Sequence, residues 1–92
     1  MEVEIGHVTH YSSHLHVAAM KLSADLKEGD FIHILGHSTD FMQRVTSLEI
    51  DHHHVAGVHP GEDVAVKVVA PVHEHDVIYR VPAGEFEPYS LV

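Results

Sequence analysis

Leu26-Lys27-Glu28-Gly29-Asp30-Phe31-Ile32-His33-Ile34-Leu35-Gly36 is the stretch on which the fold turns. A polar turn, Glu28-Gly29-Asp30, hands the chain to a β-prone run that Gly36 ends, so the segment reads as a turn followed by a short strand. The same punctuation continues outward. Gly57, Pro60-Gly61-Glu62-Asp63 and Pro71 break the C-terminal half, leaving strand-like runs at residues 64–69 and 77–81, with a further one near residues 3–8. Val64, Val66 and Val68 alternate with Ala65 and Lys67, which predicts one buried face and one solvent face. Fourteen valines give the whole chain a β bias.

Two segments stay open on pattern alone. Residues 18–28 are rich in helix formers and stop at Gly29, as a helix with a glycine terminator would. Asp40, with Gln43 three residues later, has the form of a helix cap, and Phe41, Val45 and Leu48 fall at helical spacing. The same residues also alternate, Phe41, Gln43 and Val45 against Met42, Arg44, Thr46, Leu48 and Ile50, as a barrel strand with two apolar faces would.

Taken in order, several motifs resemble the second-domain β-barrel of translation elongation factor Tu and its relatives. They are His16-Val17-Ala18-Ala19-Met20-Lys21-Leu22, the "L-x-x-G-D-x-I-x-I-x-G" hairpin at residues 26–36, and Val45-Thr46-Ser47-Leu48-Glu49-Ile50. Val58-His59-Pro60-Gly61-Glu62-Asp63-Val64-Ala65-Val66 and Asp76-Val77-Ile78-Tyr79-Arg80-Val81 complete the series. A related barrel ends some collagenase-like peptidases. The resemblance implies an all-β fold, a small closed six-stranded antiparallel β-barrel of the translation-protein type, in which residues 17–22 and 41–50 are strands. Closure would remove the exposed edges of a small valine-rich sheet. No Gly-x-x-x-x-Gly-Lys-[Ser/Thr] phosphate loop occurs, so the GTPase half of an elongation factor is missing. The family's "T-G-x-V" strand is here Ala18-Ala19-Met20-Lys21, and its tRNA contacts have no counterpart residue by residue.

A length of 92 residues suits one domain. Residues 1–82 form the expected barrel, and residues 83–92 an acidic C-terminal tail whose Phe86 and Tyr89 could dock on the domain or a partner. Apolar residues at 45% and charged residues at 21% separate the chain from disordered proteins. Fourteen acids against five bases give a net charge of −9, which disfavours non-specific nucleic-acid and anionic-membrane binding near neutral pH. Twelve histidines make that charge conditional on pH. The absence of cysteine excludes disulfides, thiolate metal sites and a thiol nucleophile. Without a leader-like start or a long apolar run, a cytoplasmic location is expected.

Histidine carries the candidate chemistry. Three His-x-His pairs occur, His14/His16, His52/His54 and His73/His75. On a strand, residues two apart share a face and could chelate one divalent ion, zinc or nickel, provided a third ligand such as His33 or His37 converges. The plainer alternative is that these are solvent-facing positions. No serine sits in a Gly-x-Ser-x-Gly elbow, and His37-Ser38-Thr39-Asp40 is better read as a polar turn than as a triad. The expectation is therefore a non-enzymatic, elongation-factor-like binding module with a protein or ribosome-associated partner. A divalent-metal-binding protein is the alternative, and a detached accessory domain of a peptidase a third reading.

Overall fold

The computed structural model describes residues 1–86, and these contain strands and one 3-10 turn but no α-helix. The alternation seen in sequence converts directly into strands. β1 spans Val3–Ser12, β2 Val17–Leu22, β3 Leu26–Lys27, β4 Phe31–Leu35 and β5 Asp40–Arg44. They are followed by β6 Leu48–Ile50, β7 His53–Val55, β8 Gly57–Val58, β9 Asp63–Lys67 and β10 Val77–Val81. Both segments that pattern left open are extended. Alternating inward side chains on a half-buried sheet outweigh the helix propensity of residues 18–28.

Among the described residues the main sheet has eight strands in the order β5-β4-β10-β1-β2-β9-β6-β7, and β3 pairs with β8 separately. All the pairings are antiparallel. The sheet curls around one core. Ile5 and Val8 of β1, Met20 of β2, Ile32 and Ile34 of β4, Val64 and Val66 of β9 and Ile78 of β10 meet in a single buried cluster. Leu26 and Val58 bring the small β3–β8 sheet to the same core.

Two features correct the expected closed six-stranded barrel. Residues 41–50 do not form one strand, and no ladder joins the edge strands β5 and β7, so the sheet stays open. The physical reason lies at Val45-Thr46-Ser47. The Val45 N–H donates to the Asp30 carbonyl (2.8 Å), and the Val45 carbonyl accepts from the Gly29 N–H (2.9 Å), so this backbone is committed to the β3–β4 turn. The break also resets the alternation, which lets Leu48 enter the core after Val45.

A side chain of the edge strand β5 nonetheless reaches the chain leaving β9. Gln43, only 4% exposed, donates from Nε2 to the Lys67 carbonyl (2.9 Å) and accepts at Oε1 from the Val69 N–H (2.9 Å). The amide satisfies one acceptor and one donor of the chain leaving β9, as a neighbouring strand would.

Gly29 adopts φ +92°, a left-handed conformation that favours glycine. The Asp30 carboxylate accepts from the Lys27 N–H (3.0 Å) and lies 3.5 Å from Lys27 Nζ. Of the expected tail, Ala83–Glu85 make a 3-10 turn and Phe86 stacks on Phe31 with ring centroids 4.3 Å apart. Residues 87–92, including Tyr89, lie outside the described residues.

Candidate functional site

The His-x-His pairs are placed differently from the strand geometry that motivated them. His14 and His16 lie in the β1–β2 turn, His52 and His54 straddle the β6–β7 turn, and His73 and His75 precede β10. His16, His52 and His75 have positive φ, which no strand residue would show. All six side chains are exposed. Nearest neighbours are individual: His54 contacts the Glu28 carboxylate, and His73 Nδ1 lies 3.1 Å from Thr39 Oγ1.

His37 does come beside one pair. It shares a shallow depression with His73 and His75, floored by the buried carboxylate of Asp76. Asp76 Oδ2 accepts from the His73 N–H (2.8 Å) and so shapes the loop. A Cβ on Gly36 would sit 1.8 Å from Asp76 Oδ1, which is why glycine faces this carboxylate. Among the described residues, no three His, Asp or Glu side chains converge as a metal ion requires.

A tighter cluster surrounds His33, the one histidine that is not exposed. In β4, Ile32 and Ile34 turn inward, leaving His33 on the outer face opposite Tyr79 of β10 and Met42 of β5. Its Nδ1 lies 2.7 Å from Glu2 Oε1 and its Nε2 2.6 Å from Asp40 Oδ1. A neutral imidazole can donate only once, so two carboxylate acceptors favour the doubly protonated ring. Burial of the ring works against that charge. The hydrogen bonds to Asp40 and Glu2, together with both negative charges, outweigh it and hold His33 above the ordinary histidine value. The sequence signal for this cluster is the β4–β5 register: Leu35 faces Asp40, which puts Asp40 diagonal to His33.

At the end of the sheet near β3 and β8, Arg80 opens into a cavity of about 340 Å³ whose wall includes Leu26, Val58, Lys27 and His59. The guanidinium donates to the Asp25 main-chain carbonyl. Among the described residues, no carboxylate lies within ion-pair distance of it.

The fold therefore defines a small all-β domain: a curled antiparallel sheet with histidine-bearing turns and an end pocket that contains Arg80. This domain is similar to the C-terminal domain of a Geobacillus thermoleovorans protein assigned to the U32 peptidases. The match has a TM-score of 0.81 at 19% identity and covers 88% of this chain and 93% of that one. The selenomethionine form of that domain matches with a TM-score of 0.78. In sequence, the chain is 38% identical over 79 residues to an uncharacterized protease of Methanocaldococcus jannaschii. The match takes in 85% of this chain and 19% of the protease, so the chain spans about a fifth of that relative's length. No family model matches the chain.

These similarities overturn the expectation of a non-enzymatic, elongation-factor-like module linked to translation, because the similar proteins are named for proteolysis. The motifs behind that expectation encode turn geometry. Gly29 and Asp30 make a tight bend, and a bend carries no information about RNA or ribosomes. No helix among the described residues is long and apolar enough to cross a membrane.

Proposed function

We propose that this chain works as the β-domain of a U32-type peptidase, docking on the unit that cleaves and helping to present peptide substrates to it. The observation that supports this most strongly is the 38% identity to a protease, sustained over 85% of this chain. The fold likeness to a U32 peptidase C-terminal domain points the same way. In this reading the partner is a protein, the location is cytoplasmic, and residues 1–82 form one unit followed by a tail. The curled sheet then acts as a six-stranded barrel whose seam is completed by side chains such as Gln43.

The test uses this chain together with a U32 peptidase catalytic unit from the same organism. Co-elution of the two in size-exclusion chromatography, and an increased cleavage rate on denatured protein substrates, are expected. No association at micromolar concentration together with an unchanged cleavage rate would exclude the proposal.

A further inference from the structure

We infer that the Arg80 pocket is a binding site for a carboxylate carried by a peptide. The inference goes beyond the peptidase reading and stands without it. It begins with an electrostatic mismatch. The chain has fourteen acids and five bases, so a half-buried guanidinium should readily acquire a carboxylate partner. Arg80 has none among the described residues, where its guanidinium donates instead to a neutral main-chain carbonyl, that of Asp25. A guanidinium carries five N–H donors in a planar fork. Arg80 lines two depressions of the surface.

The surroundings favour a peptide over a bare ion. On one side of Arg80 lies the cavity walled by Leu26 and Val58, of a size that holds a small ligand. On the other side a second depression of about 320 Å³ is lined by Val3, Phe31 and Pro82 and shares both Arg80 and Asp30 with the first. A carboxylate on Arg80 would thus have an apolar surface next to it for the adjoining side chain.

The charge of the rim selects the kind of anion. Asp25 and Asp30 border the same cavity, and Lys27 is already engaged by Asp30 at 3.5 Å. A dianionic phosphate would be repelled by these acids, whereas a planar monoanion matches the guanidinium fork with two parallel hydrogen bonds. Two sources share this chemistry: the α-carboxylate at a peptide C-terminus and the side chain of an acidic residue.

The test is an NMR titration of the isotope-labelled chain at neutral pH with four probes: acetyl-Ala-Val with a free C-terminus, acetyl-Ala-Val-amide, acetyl-Ala-Glu-Ala-amide, and inorganic phosphate. Saturable shifts of the Arg80 Nε–Hε resonance and of the Gly57 and Val58 amides are expected with a carboxylate probe and not with the neutral amide. The free C-terminus alone identifies the α-carboxylate as ligand, and the glutamate peptide identifies a side-chain carboxylate. Arg80→Gln should weaken the binding at least fivefold, and Lys21→Gln, which does not line the pocket, should leave it unchanged. If Arg80→Gln does not fold, the Arg80 resonance of the unaltered chain decides. The inference is overturned if neither carboxylate moves that resonance, if a folded Arg80→Gln loses less than fivefold, or if phosphate binds more tightly than both carboxylates.

Discussion

Replacing His33 with glutamine should destabilise the protein in a pH-dependent way. Glutamine keeps hydrogen-bonding capacity but cannot carry charge, so the difference between the two proteins isolates the imidazolium. The His33 side chain is 14% exposed and its Glu2 partner 31%, which puts this contact near the low end of charge-assisted hydrogen bonds, about 1.5 kcal/mol. Asp40 is 72% exposed, so its contact is screened and contributes about 0.2–1 kcal/mol. Together the expected loss is about 2 kcal/mol near pH 6. For a chain of this size, that lowers the melting temperature by roughly 8–16 °C.

The sign follows from the direction of the shift. The folded state holds His33 above its unfolded value, so the clasp contributes fully below that unfolded value and fades as pH rises through the folded one. Urea denaturation of both proteins at about pH 6 and about pH 8.5 measures the difference, and contributions from the remaining side chains cancel because both proteins carry them. The expected outcome is a destabilisation at the higher pH less than half that at the lower. An equal or larger loss at the higher pH, or a His33 NMR titration midpoint at or below the ordinary histidine value, would refute the reasoning.

Other outcomes follow from the packing. Gln43→Leu should cost about 1–3 kcal/mol in chemical denaturation, because the hydrogen bonds to the Lys67 carbonyl and from the Val69 N–H are both lost. Gly36→Ala should cost at least about 2 kcal/mol by thermal melting, since its Cβ would displace Asp76 and release the His73 N–H. Zinc or nickel calorimetry should give weak, multi-site binding, as no three ligands converge among the described residues. A single saturable site of micromolar affinity, lost in His73→Ala with His75→Ala, would contradict this.

Strand positions were legible wherever alternation was clean. The run ending at Gly36 becomes β4, and the valine alternation at residues 64–68 becomes β9, because a two-residue period leaves little choice of face. Residues 41–50 were legible as extended but not as interrupted. The interruption comes from Asp30 and Gly29, some fifteen residues earlier, which recruit the Val45 backbone. The same distance effect hid the candidate sites. Glu2, His33 and Asp40 come from three separate segments, and only the strand order brings Glu2 to β4. Arg80 reads as one base among five until its missing carboxylate is visible. Histidine spacing, in contrast, was conspicuous but misplaced, since residues two apart in a turn diverge where strand neighbours would align.

Gln43 gives the seam of the sheet an unusual failure mode. A backbone ladder opens only when a whole segment peels away, but this junction hangs on the rotamer of one amide. A χ rotation would free the Lys67 carbonyl and the Val69 N–H while every strand pairing stays formed. The Val69 amide should therefore exchange with solvent faster than the amides of β2 and β9 inside the ladder.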